Sequence, residues 1–313
     1  MRILISDKLS PKCAEILRSA GHEVDEKTGL SPETLKGIIG KYHGLIVRSA
    51  TKVTADLLAA ADKLKVIGRA GTGVDNVDLA AAGARNIVVM NTPGGNSNAV
   101  AELALCQMLA LGRDLYRAVH SLKEKRWEKK HFEGSEITGK TLGILGYGRV
   151  SRLLAGKCRA LGMTVLCYDP KIAKTLCDSD GLEITDSLEM VLGKSDYLSV
   201  HLSKRKDTVN FLARPQFEQM KRGAFLVNLS RGGIVSEPDL LWALEAGIIA
   251  GAALDVFVKE PPEDFSLIEH PQIICTPHIG AASAESQENV AVLIAEQFVD
   301  MFAGRGIHNQ VNG

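Results

Sequence analysis

The 313-residue chain has no excess of charge of either sign: Lys plus Arg and Asp plus Glu both number 37. That balance excludes the basic field that nucleic acid or an anionic membrane surface selects, so any anion site must be local. Long apolar runs are also missing. The longest, Ala99 to Leu111, is interrupted by Glu102 and Gln107, and the only apolar run before Asp7 is the three residues Ile3 to Ile5, so neither a membrane span nor a signal-peptide core is expected. None of the six cysteines, Cys13, Cys106, Cys158, Cys167, Cys177 and Cys275, forms a Cys-x-x-Cys pair, so we expect buried thiols in a reducing compartment, no metal site and a cytoplasmic protein. Low-complexity linkers are absent too. With 45% hydrophobic and 24% charged residues the composition is that of a globular protein, at a length that predicts two domains.

What is present is alternation. Short β-branched runs at 3–6, 44–47, 66–68 and 88–90 are separated by amphipathic segments, and a second set follows at 141–145, 164–168, 197–201, 224–228, 250–254 and 273–276. Strands spaced by helices imply parallel sheets covered on both faces, so the fold class is α/β with two doubly wound, Rossmann-like domains. A long helical stretch is expected from about 99 to 122, and another helix over 284–303.

Two glycine-rich turns compete for a dinucleotide. Gly71-Thr72-Gly73-Val74-Asp75-Asn76 carries Asp75 and is followed by Asp78, carboxylates that satisfy a helix N-terminus and repel a pyrophosphate, so it reads as helix capping. Gly146-Tyr147-Gly148-Arg149-Val150-Ser151 follows a strand, opens a helix and leads to a second strand ending at Asp169, 21 residues beyond Gly148. There the glycines allow close backbone approach and the helix N-terminus faces the phosphates, while Asp169 accepts from the ribose hydroxyls and repels a 2′-phosphate. NAD is therefore expected over NADP, a preference that Lys171 and Lys174 soften. Ser151 stands at the third position, where Gly or Ala is usual, and predicts slightly looser helix packing.

Three polar groups leave later strands on one edge: Arg231 in Asn228-Leu229-Ser230-Arg231-Gly232-Gly233, Glu260 in Asp255-Val256-Phe257-Val258-Lys259-Glu260-Pro261-Pro262, and His278 in Pro277-His278-Ile279-Gly280-Ala281. A guanidinium can grip a carboxylate bidentately, an imidazole can take a proton from a hydroxyl, and a carboxylate can hold that imidazole. Each also has a plain structural reading: an ion-pair arginine, a solvated loop glutamate, a helix-capping histidine.

These three elements, 29 and 18 residues apart, resemble those of the D-isomer-specific 2-hydroxyacid dehydrogenases, and the likeness runs over nearly the whole chain. The stretches Gly44 to Val53, Val66 to Asp78 and Val89 to Pro93 are similar in particular to the branch of that family that oxidises 3-phosphoglycerate. The resemblance implies Arg231, Glu260 and His278 as the catalytic triad. It implies Thr72, Gly146, Gly148, Arg149, Val150, Asp169, Leu202, Leu229, Ser230, Asp255, Gly280 and Ala281 around NAD, and Arg48, Arg69, Gly71 and Lys129 around a phosphorylated 2-hydroxy acid. It further implies a discontinuous substrate domain, 1–93 with 283–313, a cofactor domain over 94–282, an active cleft between them, and a homodimer or larger homo-oligomer. The basic cluster Lys123, Lys125, Arg126, Lys129, Lys130 and His131 around Trp127 is either a solvated face or, on the family's pattern, a segment reaching the neighbouring subunit's substrate.

The expected reaction is NAD-dependent oxidation of 3-phospho-D-glycerate to 3-phosphohydroxypyruvate, or its reverse, in serine biosynthesis. A hydroxypyruvate or glyoxylate reductase and a non-catalytic NADH-sensing scaffold remain as alternatives. Departures from the family pattern are Ser151, His201-Leu202-Ser203-Lys204 in place of His-x-Pro-Leu, Ser236 for an acid, Ala99 for a serine, and Lys129 for an arginine. With the chain ending at Gly313, no room is expected for the regulatory domain that some relatives append.

Overall fold

A computed structural model describes residues 1–172 and 182–313, so Lys174 and Cys177 lie outside the described residues. The described residues form two compact units, Met1–Ser97 with Ala281–Gly313, and Asn98–Gly280.

The first unit is built on five parallel strands, β1 (Arg2–Ile5), β2 (Glu23–Glu26), β3 (Gly44–Val47), β4 (Val66–Arg69) and β5 (Val88–Asn91), in the order β2-β1-β3-β4-β5. All four residues of β3 are buried, as a parallel strand covered on both faces requires. β2 escapes the sequence pattern because Glu23-Val24-Asp25-Glu26 is an acidic edge strand, whose Asp25 accepts from Arg2 at 2.8 Å and from Tyr42 at 2.6 Å. The helix Ala284–Phe302 lies on this sheet. A Cβ at Gly68 would meet Phe298 at 2.4 Å and Ile294 at 2.7 Å, so the absence of a side chain at Gly68 lets the helix approach. Burying Phe298 completely there contributes roughly 2–3 kcal/mol. On the far edge, Val311 donates to the Val89 carbonyl at 2.9 Å and Asn312 accepts from the Val89 N–H at 2.9 Å, which covers the exposed side of β5.

Seven parallel strands make the second unit: β6 (Thr141–Leu145), β7 (Thr164–Tyr168), β8 (Glu183–Thr185), β9 (Tyr197–Val200), β10 (Ala224–Asn228), β11 (Ile249–Leu254) and β12 (Ile273–Cys275). Their order, β12-β11-β10-β9-β6-β7-β8, runs outward from β6 through β7 on one side and from β9 through β12 on the other. The strand order reverses between β6 and β9, and the carboxyl ends of strands at such a reversal are where open α/β sheets bind ligands.

The expected long helical stretch is two helices, Ser97–Gly112 and Leu115–Lys123. Asp114 separates them at φ 46°, a left-handed conformation no helix interior accommodates, and its carboxylate pairs with Arg117 at 2.9 Å. Apolar residues continue across the break, from the largely apolar first helix to Leu115, Val119 and Leu122 of the amphipathic second, so hydrophobicity alone could not reveal it. Among the described cysteines, Cys13, Cys158 and Cys167 are buried and Cys275 is partly buried, while the exposed Cys106 departs from the expectation of buried thiols.

Candidate active site

In the second unit β6 delivers its chain into Gly146, whose φ of 92° favours glycine and whose Cβ, if present, would lie 3.0 Å from the His201 carbonyl. Gly148 is the N-cap of the twelve-residue helix Arg149–Ala160, with no side-chain cap. By contrast Ser31, Thr54, Asp78, Ser187 and Ser283 each cap a helix with a side-chain oxygen. An uncapped helix start behind a tight glycine turn fits a dinucleotide's pyrophosphate, which supplies the acceptors that a capping side chain supplies elsewhere.

Ser151 is fully buried, and its hydroxyl donates to the Gly148 carbonyl at 3.0 Å. The extra polar atom at the third position is thus satisfied within the helix's own first turn. Asp169, just past β7, accepts from the Tyr147 N–H at 3.0 Å and from the Lys171 N–H at 3.1 Å, tying the turn to the neighbouring strand. Leu202, past β9, approaches within 3.1 Å of the position a Gly146 Cβ would take. Beneath this loop the His201 ring meets Ser199 Oγ at 2.8 Å, and its desolvation lowers the imidazole pKa to about 4, which keeps the ring neutral.

β10, β11 and β12 are neighbours, so the chain leaves them side by side. The β10 exit is braced by Asn228, whose Oδ1 accepts from the Ser230 N–H at 3.1 Å and hydroxyl at 2.7 Å while its amide donates to the Arg231 carbonyl at 3.3 Å. Arg231 follows, donating to the Ser230 carbonyl at 2.7 Å. A Cβ at Gly232 would sit 1.7 Å from the Phe257 carbonyl, so the Arg231 turn abuts the segment that carries Glu260. Glu260 accepts from the Phe257 N–H at 3.0 Å with one oxygen and meets His278 Nδ1 at 2.6 Å with the other. Of the three groups singled out in the sequence, Glu260 and His278 are in direct contact, and Arg231 lies on the adjoining strand exit.

The remaining candidates divide between the units. Leu229 and Ser230 flank Arg231, and Asp255 and Gly280 lie close to the His278 loop, while Thr72 and Ala281 belong to the first unit. There Thr72 Oγ1 donates to Asn96 at 2.8 Å, and the Ala281 carbonyl accepts from Gln287 at 2.8 Å. Arg48 directly follows β3, and Arg69 closes the adjacent β4, where it pairs in register with Val47. Two guanidinium side chains thus start from one sheet edge. Arg48 donates its N–H to buried Asp7 at 2.6 Å, its Nε is buried with no hydrogen-bond acceptor among the described residues, and burial lowers its pKa. Gly71, at φ 145°, leaves the space that Arg69 fills, since a Cβ there would lie 1.4 Å from Arg69 Nη1.

Lys129 opens the short 3-10 turn Lys129–His131 beside Trp127, which is 82% exposed. Part of the basic cluster is neutralised locally, since Arg126 bridges Glu124 and Glu128. Sequence reasoning left out Asn228, Thr276 and Gln107 as members of the site. Asn228 carried a signal: an Asn followed two residues later by Ser is a recurrent Asx-type turn.

A family model, the NAD-binding domain of the D-isomer specific 2-hydroxyacid dehydrogenases, matches residues 105–280. The chain belongs to this family of NAD-linked oxidoreductases. Among characterised relatives it is 45% identical to the D-3-phosphoglycerate dehydrogenase of Archaeoglobus fulgidus over 313 residues, all of this chain and 59% of that protein. It is 47% identical to the enzyme of that name from Rattus norvegicus over 311 residues, 99% of this chain and 58% of that one. The chain thus spans somewhat more than half the length of these relatives. Solved structures with the same architecture include the TT0316 protein of Thermus thermophilus, with TM-score 0.89, 33% identity and coverage of 99% of this chain and 100% of that one. Another is the NAD+-bound 3-phosphoglycerate dehydrogenase of Entamoeba histolytica, with TM-score 0.83, 28% identity and coverage of 100% and 99%.

Proposed function

We propose that the protein catalyses the reversible, NAD-dependent oxidation of 3-phospho-D-glycerate to 3-phosphohydroxypyruvate, the entry to serine biosynthesis. The observation that carries this reading is the 2.6 Å contact between His278 Nδ1 and Glu260 beside the Arg231 turn. With Nδ1–H donated to the carboxylate, Nε2 is the lone-pair nitrogen, and it accepts the proton of the substrate's 2-hydroxyl. Glu260 then stabilises the imidazolium that results. Arg231 orients the substrate by its carboxylate and polarises the carbonyl in the reverse direction. The Gly146 turn and Asp169 would hold NAD, whose nicotinamide would supply the hydride acceptor.

Thr72, Gly148, Arg149, Val150, Asp169, Leu202, Leu229, Ser230, Asp255, Gly280 and Ala281 complete our assignment of the cofactor residues with Gly146. Arg48, Arg69, Gly71 and Lys129 are assigned to the substrate's anionic groups, where paired guanidinium forks suit a phosphate. In support of that role, Arg48 carries its buried, acceptor-free Nε at the sheet edge. We also assign the protein to the cytoplasm as a homodimer or larger homo-oligomer. No described helix is long and apolar enough to cross a membrane, and the helix Leu115–Lys123 exposes Leu115, Tyr116, Val119 and Leu122, with Trp127 exposed beyond its end, an apolar surface suited to a second copy.

Following NADH absorbance with 3-phosphoglycerate, its unphosphorylated analogue and glyoxylate, against NAD and NADP, tests the assignment. Preference for the phosphorylated acid with NAD supports it. Equal or better turnover of unphosphorylated acids makes it another 2-hydroxyacid dehydrogenase, and tight NADH binding without turnover makes it a cofactor-sensing scaffold.

A further inference from the structure

We propose that Asn76 is a positioning residue for the anionic end of the substrate: its side-chain amide locks the turn that presents Arg48 and fixes that guanidinium relative to Arg69. For its kinetic consequence the inference rests on the assignment of Arg48 to the substrate, while the lock itself rests on bonds within the first unit.

The chain leaves β3 at Arg48 and turns through Ser49 and Ala50 to Thr51. Backbone groups that step off a sheet lose their ladder partners and must find others. Here the exits of β1 and β4, the strands on either side of β3, supply them. From the β1 exit, the 5% exposed Asp7 accepts from the Arg48 N–H at 2.6 Å and the Thr51 N–H at 3.1 Å through Oδ2, and from the Thr51 hydroxyl at 2.7 Å through Oδ1. From the β4 exit, Asn76 Nδ2 donates to the Arg48 carbonyl at 2.7 Å and the Thr51 carbonyl at 2.6 Å. One nitrogen serves two carbonyls, which takes both protons of an amide and which no ionised carboxylate can imitate. Asn76 does no capping, since the N-cap of the following helix is Asp78. Its backbone joins the lock as well: the Val53 N–H donates to the Asn76 carbonyl at 2.8 Å, and the Asp78 N–H to the Val53 carbonyl at 2.9 Å.

The lock bears on the guanidinium because Arg48 is held by its backbone and not by its head group. Its Nε is buried with no acceptor among the described residues, and burial lowers its pKa against the opposing charge of Asp7. Both Asp7 oxygens are engaged by the turn, so that carboxylate steadies the backbone while the Arg48 Nε–H is left for an outside anion. Arg69 stands seven residues before Asn76 on the same strand exit, and it pairs in register with Val47, the residue before Arg48. One segment therefore carries the second guanidinium at its start and the amide that fixes the first. The spacing of the two forks follows from the β4 exit and not from free side-chain torsions. A phosphate offers enough oxygens for two forks at a set spacing, whereas an unphosphorylated acid has no group there to gain from it. The lock thus favours phosphorylated acids over their unphosphorylated analogues.

The test compares Asn76→Ala and Asn76→Asp with the parent in the full chain. The readouts are kcat and KM for 3-phosphoglycerate and its unphosphorylated analogue, NADH fluorescence titration, and the NMR signal of the Arg48 Nε–H titrated with inorganic phosphate. For Asn76→Ala the KM for the phosphorylated acid should rise about tenfold with kcat within about threefold, the pattern of lost binding that is uniform along the reaction. Asn76→Asp, which adds a charge beside the turn and donates nothing, should raise it about a hundredfold. The KM for the unphosphorylated acid and the NADH Kd should stay near parental values, and phosphate affinity at the Arg48 Nε–H should fall by factors matching the KM changes. In the parent, both Asn76 side-chain amide protons should exchange slowly with solvent and shift when phosphate binds, a measurement that decides the matter if the variants do not fold. Equal KM rises for phosphorylated and unphosphorylated acids, parental phosphate affinity at Arg48 in folded variants, or Asn76 amide protons that exchange freely would overturn the proposal. If the parent shows no preference for the phosphorylated acid, the 3-phosphoglycerate reading fails, while the Arg48 and Asn76 signals still uphold or overturn the lock.

Discussion

The turns at Gly71 and Gly146 look interchangeable in sequence: each has Gly-x-Gly after a buried parallel strand. They differ in what meets the next helix. After Gly71 comes a six-residue helix, Leu79–Ala84, whose N-cap Asp78 already accepts from the Ala81 N–H at 2.9 Å. After Gly148 comes a twelve-residue helix with no side-chain cap. A helix start with its own carboxylate repels a phosphate, whereas one without it leaves its N–H groups open to an anion. A missing side-chain cap is not enough by itself, since the helices Lys12–Ser19 and Glu237–Glu245 lack one too; what distinguishes the second turn is the combination of an uncapped start, the close glycine turn before it and Asp169 beside it.

Substitutions can break or sharpen this contrast. The largest effect is expected at the chemistry that the second turn serves: His278→Gln should cut kcat roughly a thousandfold, about 4 kcal/mol, with NADH affinity unchanged. Parallel loss of NADH affinity, measured by fluorescence titration, would mean that cofactor and proton chemistry are not separable as the strand exits suggest. Next comes Gly146→Val. With φ at 92° and the His201 carbonyl 3.0 Å from the new Cβ, NADH binding should weaken about a hundredfold. A Kd that stays near the parental value would show that this turn does not carry the cofactor.

The third test concerns His201, behind the Gly146 turn. Its folded pKa of about 4 lies below the unfolded value near 6.5, so the unfolded chain binds more protons between them. Stability is thus complete above about pH 6.5 and falls as pH drops toward 4, by about 2 kcal/mol at pH 5. His201→Gln should flatten this part of the Tm-against-pH curve, and an unchanged slope would assign the acid sensitivity elsewhere. The smallest effect is expected at the first turn. Asp78→Ala should lower stability by about 1 kcal/mol through the lost cap, with NADH affinity unaltered. A change in that affinity would contradict the division of labour between the turns.

Much of this was legible beforehand. Buried strands such as Leu142 to Leu145 announce themselves by composition, and the distinction between the turns rested on Asp75, Asp78 and Asp169, whose charges are visible in any order of folding. β2 and β8 were not legible, because short edge strands carry polar residues that lack the apolar signal. Nor was the break at Asp114, which depends on one backbone angle.

By itself the sequence determined the alternation of strands and helices, the glycine turn with its acid, and the identity of the three polar groups, since these follow from side-chain chemistry and spacing along the chain. Only the tertiary structure decided that Glu260 and His278 share a hydrogen bond, that Ser151 hides its hydroxyl against Gly148, and that Asp255 is consumed by the loop from β12. Those facts depend on which strands become neighbours, and a buried polar atom finds its partner only when the sheet has closed around it.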